Sequence, residues 1–135
     1  MIIVIDNNIA LDALLRRQPF SEAAERILEA CADTHIGCLS VNSLTDIFYV
    51  LRKFIEASSA KKTIYKLMEL LEIISLNDED CINALSLPVD DFEDALAVIC
   101  GEKIGADYIV TRDSEFLSIN SSIPIVSPEK LLKMI

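Results

Sequence analysis

The chain opens on an unbroken apolar run, Met1-Ile2-Ile3-Val4-Ile5, β-branched at four of its five positions, which stops abruptly at Asp6. A strand with one wet face alternates apolar and polar residues; this run offers water nothing on either face and so needs cover on both. A parallel sheet sandwiched between helices supplies that cover. Two later segments repeat the signature. Tyr108-Ile109-Val110 leads into Thr111-Arg112-Asp113, and Ile123, Ile125 and Val126 flank Pro124, whose missing N–H suits an edge strand. Apolar stretches at residues 35–41 and 72–76 complete five candidate strands.

Helical periodicity fills the intervals. Residues 8–17 turn helical before Pro19, and residues 21–32 follow with Ala24, Ile27, Leu28 and Cys31 on one face. Leu44, Ile47, Phe48, Leu51 and Ile55 recur at i, i+3, i+4, i+7 and i+11, marking a third helix that Asn42 or Ser43 can cap. A fourth spans residues 59–71 with Ile64, Leu67, Met68 and Leu71 as its stripe, and a short one covers 78–85. Residues 91–104 begin with acids and continue Ala95-Leu96-Ala97-Val98-Ile99-Cys100, apolar nearly all round, which marks a buried central helix ended by Gly105. Ser127-Pro128 starts the last helix. Strands alternating with helices predict an α/β fold of three layers around a central, mostly parallel sheet.

With 135 residues, 52% of them hydrophobic and 25% charged, the chain is sized for one domain over 1–135 and is too apolar for disorder. No apolar run approaches the roughly 20 residues that cross a bilayer, so the expected location is cytoplasmic, with no membrane partner. Cys31, Cys38, Cys81 and Cys100 stand far apart without a CxxC pair, and His35 is the sole histidine. That excludes a zinc finger, argues against a disulfide framework, and rules out RNA cleavage by paired imidazoles; the thiols read as core residues. The net charge of −10 is hostile to a polyanion, but it is unevenly spread. Nine acids fall between residues 77 and 107 against Lys103 alone, while Arg52, Lys53, Lys61, Lys62 and Lys66 face only Glu56 between 52 and 66. The basic stretch reads either as a surface that meets phosphates or as a solvated helix face.

Two of the buried strands lead into an aspartate, Asp6 after the first and Asp113 after the fourth. Ligands of open α/β sheets bind beyond the carboxyl ends of the strands, so these two acids share a site if their strands are neighbours. Each equally suits the cap of the helix behind it. Asp94, in the first turn of the central helix, points toward Asp6 if that helix begins at the same edge, with Asp91 as its cap. Asp46 lies opposite the apolar stripe of the third helix, and Ser43-x-x-Asp46 fits a capping box; alone it reads as structural, and it gains a role only if its face overlooks the crevice. Carboxylates gathered without basic partners repel one another and take raised pKa values unless a cation joins them. Hard oxygen donors with no Cys or His favour Mg2+ or Mn2+, and such a centre suits in-line hydrolysis of a phosphodiester.

Four segments in order, IIVIDNNIALDALL (residues 2–15), SVNSLTDIFYVLRK (40–53), DFEDALAVICGEKIGADYIVTRD (91–113) and IPIVSPEKLL (123–132), resemble the PIN-domain nucleases, especially the VapC-like toxins of bacterial and archaeal toxin–antitoxin systems. The resemblance covers nearly the whole chain. It implies a PIN-like three-layer α/β/α fold and a Mg2+- or Mn2+-dependent endoribonuclease in which water, not the RNA 2′-hydroxyl, is the nucleophile. Position by position, it lays the family's metal-binding acids on Asp6, Asp46, Asp94 and Asp113, with Asn8, Thr111 and Asp91 around them. Asp46 stands where much of the family has glutamate and is one methylene shorter, so its hold on a metal can run through water. Asp113 stands where asparagine is common, which leaves Glu115 as the other candidate for the fourth acid. The resemblance further implies an RNA substrate, a homodimer, and a cognate antitoxin whose tail enters the acidic groove. An apolar surface around Phe48, Tyr49 and Phe54 suits such a partner, although Phe48 reads first as core.

Two other α/β classes place acids after their first strand. A haloacid-type phosphohydrolase needs a second aspartate two residues on, where this chain has Asn8, and a response-regulator receiver needs a late lysine, yet none follows Thr111 until Lys130. A PIN-like module that binds a partner without cleaving stays open, given Asp46 and the acidic total.

Overall fold

Ile3, Val4 and Ile5 are at most 2% exposed, the double cover that their unbroken apolar run requires. The structure is a computed structural model that describes residues 1–135. Its elements run β1 (Ile2–Ile5), α1 (Asn7–Leu14), α2 (Ser21–Asp33), β2 (Ile36–Ser40), α3 (Val41–Leu51), α4 (Ala57–Leu70), β3 (Glu72–Ile74), α5 (Asp78–Leu85), α6 (Phe92–Ile104), β4 (Tyr108–Val110), α7 (Ser114–Leu117), β5 (Ile125–Val126) and α8 (Pro128–Leu132). The strands form one sheet in the order β3-β2-β1-β4-β5, every pair parallel. It is the three-layer α/β/α arrangement, with β5 and its neighbouring Pro124 at an edge.

Side chains alternate across the sheet and feed two cores. Ile3, Ile5, Leu39 and Val110 pack with α1, α2, α3, α4 and α8 on one face, while Val4 and Ile109 meet Val98 and Cys100 of α6 and Phe116 of α7 on the other. From β1 the chain steps outward through β2 to β3, then crosses back over α5 and α6 to add β4 on the far flank of β1. The strand order therefore reverses between β1 and β4, and the crevice beyond their carboxyl ends is the switch point. Close approach of helices to β2 depends on Gly37, where an added Cβ would stand 2.7 Å from Leu71 Cδ2 and 2.8 Å from Cys31 Sγ. Gly105 ends α6 as expected, its φ of 63° lying in the left-handed region that a side chain disfavours.

Several boundaries differ from the sequence reading. The first helix stops at Leu14, not Arg17, because the chain turns at Arg16, whose φ is 51°. The third begins at Val41, with Ser40 in the cap position, so neither Asn42 nor Ser43 caps it and no Ser43–Asp46 capping box forms; β2 passes into the helix without a loop, and the Ser40 and Ser43 hydroxyls bond each other at 2.9 Å. The strand at 72–76 is limited to Glu72–Ile74. Three cysteines are buried as expected, but Cys81 is only half-buried on α5.

Candidate functional site

The β1–β4 register pairs Ile5 with Val110, which sets Asp6 beside Thr111. The Asp6 N–H continues the ladder to the Val110 carbonyl at 3.0 Å. Its carboxylate accepts on both oxygens: Oδ1 takes the Asn7 N–H at 2.9 Å and caps α1, and Oδ2 takes the Thr111 hydroxyl at 2.8 Å. Thr111 is fully buried, and its Oγ1 in turn accepts the Asp113 N–H at 3.1 Å. Asp113 Oδ1 accepts the Glu115 N–H at 3.0 Å and caps α7, a single-turn helix that the periodicity of the sequence did not signal. Capping and lining the crevice are thus not alternatives. Each cap engages one lone pair and leaves the carboxylate facing its neighbours.

The third segment arrives with α6. Asp91 caps it, its Oδ1 accepting the Asp94 N–H at 3.0 Å, and Asp94 lies in the first turn near Asp91, Asp6, Asp113 and Glu93. Burial, reinforced by those four negative neighbours, pushes the Asp94 carboxyl up to about 7. Asp6 is also raised, chiefly by burial, with Asp113 and Asp91 adding to it and the Thr111 and Asn7 hydrogen bonds pulling the other way. Asp113 therefore acts on both acids, while Glu115 lines the outer end of the site.

Asp46 is half-buried on α3, on the side where Asn7 and Glu93 stand. Asn7 Nδ2 donates to Asp46 Oδ2 at a long 3.5 Å, and Glu93 lies against Asp46. Glu93 is raised above the usual carboxylate range by burial, then by the charge of Asp46 and by hydrogen bonding to it in the protonated form. Asn7 and Glu93 are the residues that sequence reasoning missed; the side chain of Asn8, the expected polar neighbour of Asp6, forms no hydrogen bond, and Asn7 stands nearer. Asn42, one turn before Asp46 on the same face of α3, leaves Oδ1 buried without a partner.

Basic compensation is absent where the sequence offers it. Arg112 sits between Thr111 and Asp113, but its guanidinium is turned to Asp12, Nε to Oδ2 at 2.6 Å and Nη2 to Oδ1 at 3.0 Å. Beyond Asp94 a cavity of about 450 Å³ opens, lined by Asp90, Asp91, Asp94, Glu115, Ser118 and Asn120, while Asp6 lies deeper and outside that lining. No three acids are preset around a common point. The donor set nevertheless fits a hard divalent cation: oxygen donors only, carboxyls raised by burial and further by their mutual repulsion, and an unpaired buried carbonyl oxygen on the Asp46 face.

Acids from four segments thus border the crevice at the switch point of a five-stranded parallel sheet without closing on one point, which places the protein in a class defined by an acidic crevice on an α/β/α frame. The chain belongs to the PIN-domain family, whose sequence profile matches residues 2–115. Solved structures share the fold. VapBC2 of Rickettsia felis, bound to a DNA fragment from its promoter, superposes with a TM-score of 0.70 at 18% identity, over 94% of this chain and 98% of that one. VapC20 of Mycobacterium tuberculosis, a sarcin–ricin-loop-cleaving toxin, gives 0.70 at 15% over 84% and 92%. VapBC-1 of nontypeable Haemophilus influenzae gives 0.69 at 14% over 96% and 99%. No curated protein sequence matches the chain.

Proposed function

We propose that the chain is a divalent-metal-dependent endoribonuclease and the toxin of a toxin–antitoxin pair. The observation that carries this reading is the placement of Asp6, Asp94 and Asp113 around the β1–β4 switch point with no basic side chain turned to them, an arrangement in which burial and the neighbouring charges push the Asp94 carboxyl up to about 7. At neutral pH such a group is held between a proton and a charge, and a bound cation takes the place of the proton. Asp6, Asp94, Asp113 and Asp46 would hold Mg2+ or Mn2+, which supplies an activated water and offsets the charge that develops on a phosphodiester in displacement. Thr111 fixes the rotamer of Asp6 through its hydroxyl and orders Asp113 through the amide it accepts. Asn7 braces Asp46, and Asp91 orders the first turn that carries Asp94.

RNA as substrate is supported by the likeness to VapC20, and an antitoxin partner by the likeness to VapBC complexes. An apolar groove of about 300 Å³ between α3 and α4, lined by Leu44, Phe48, Tyr49, Ile64, Tyr65 and Met68, offers a partner helix a seat, with Tyr49 and nearby Phe54 each 67% exposed. Phe48 packs partly on the core as expected. A homodimer and a cytoplasmic setting belong to the same proposal; no helix is long and apolar enough to cross a membrane.

The test is cleavage of structured and single-stranded RNA by the purified protein in Mg2+ or Mn2+. Cleavage abolished by EDTA, restored by metal and lost in Asp94→Asn supports the reading. RNA left intact under all conditions, by protein freed of any co-purifying partner, leaves a binding module in its place.

A further inference from the structure

Asp12 belongs to none of the roles above, yet it is the most thoroughly buried charge in the molecule, with 0% exposure in the last turn of α1. A carboxylate so placed must be paired. Its partner is Arg112, held by both prongs at 2.6 and 3.0 Å, with Arg17 Nη1 also 3.6 Å from Oδ1. The Phe20 ring covers the guanidinium, 4.0 Å from its carbon to the ring centroid. Arg112 is the residue between Thr111 and Asp113, and Asp12 stands on the helix that Asp6 caps. Two adjacent residues of the β4–α7 turn are therefore tied to the β1–α1 unit, Thr111 to Asp6 and Arg112 to Asp12.

We propose that Asp12 and Arg112 are positioning residues whose forked ion pair clamps the 111–113 turn onto α1 and so sets Asp113 opposite Asp6. Without it, only the Thr111 hydroxyl and the short helix that Asp113 caps hold the turn, and the like charges of Asp6 and Asp94 drive Asp113 outward. Arginine is required because a lysine cannot engage both oxygens at once. This inference rests on the metal-centre reading for its effect on activity, but not for the clamp itself.

Removing one partner strands a buried charge and can unfold the chain, so the informative variant is Asp12→Leu with Arg112→Met, which replaces the pair by apolar groups of similar bulk. Arg112→Lys serves as the mild variant, keeping the charge and losing the fork. The readouts are circular dichroism, amide hydrogen exchange at Asp113, Mn2+ affinity by calorimetry, and the split of RNA cleavage into kcat and KM. With the wild-type dichroism retained, the double variant should exchange the Asp113 amide and lose Mn2+ affinity by about tenfold each, and lower kcat with little change in KM. Arg112→Lys should move each in the same direction by a smaller factor. Unchanged Asp113 exchange in either folded variant overturns the clamp. Accelerated exchange in a protein whose wild type binds no Mn2+ upholds the clamp and sinks the metal reading instead.

Discussion

Replacing Asp94 by asparagine removes a charge that its surroundings resist, so metal-free protein should become more stable while its response to metal disappears. The Asp94 carboxyl moves from 3.8 to about 7 on folding. At about 1.4 kcal/mol per unit, that shift corresponds to an upper bound of about 4 kcal/mol. Asp94 is half-exposed at the mouth of the cavity, and solvent screening brings the figure to about 1–2 kcal/mol. For a chain of this length each kcal/mol is worth about 3–5 °C, so the variant should melt about 3–10 °C higher at pH 8 in EDTA. Because the folded pKa lies above the unfolded one, the stability linked to this proton is fully present below about pH 4 and is lost as pH rises through about 7. Asparagine imitates the protonated form at every pH, so the advantage of the variant should shrink to nothing near pH 4. Adding Mn2+ at pH 8 should raise the melting temperature of the wild type and leave that of the variant almost unmoved. Scanning fluorimetry across pH, with and without Mn2+, reads all three effects. A variant that melts below the wild type at pH 8 in EDTA, or that keeps the full Mn2+ response, refutes the reasoning.

Three further outcomes are expected. Metal-free wild type should gain stability as pH falls from 8 toward 5, because Asp94 and Asp6 are both raised in the folded state, and the stabilisation by Mn2+ should fade over the same window as protons compete; a flat profile contradicts the shared hollow. Thr111→Val removes the hydroxyl that donates to Asp6 and accepts from Asp113, so Mn2+ affinity and RNA cleavage should fall about 10- to 100-fold with the fold intact, measured by calorimetry and initial rates. Gly37→Ala should cost about 1–3 kcal/mol by urea denaturation, since its Cβ meets Leu71 and Cys31 inside 3 Å, while the metal response of the folded fraction stays unchanged.

What was legible in the chain follows from how local the interactions are. The Asp91 cap of α6, the Gly105 stop and the Ser127-Pro128 start each rest on residues a few positions apart, so their signatures survive in one dimension. The apolar run before Asp6 announced a strand covered on both faces because no other setting tolerates it. Where a boundary moved, a backbone turn or a direct junction that hydrophobic period does not register moved it. The loop after α1 turns back at Arg16, and Arg17 beyond it reaches Asp12, while β2 runs straight into α3 and leaves Ser43 and Asp46 without a cap to make.

By itself the sequence determined that the protein is a layered α/β fold and which aspartates stand at the ends of its strands, since both follow from hydrophobic period and from residues adjacent in the chain. Only the tertiary structure decided that β4 lies against β1, that Asp46 turns inward to Glu93 and Asn7, and that Asp12 reaches across 100 residues to Arg112. The physical reason is that electrostatic coupling depends on distance and burial. Neither exists until strands without local cues to their neighbours have been ordered by the packing of both faces of the sheet.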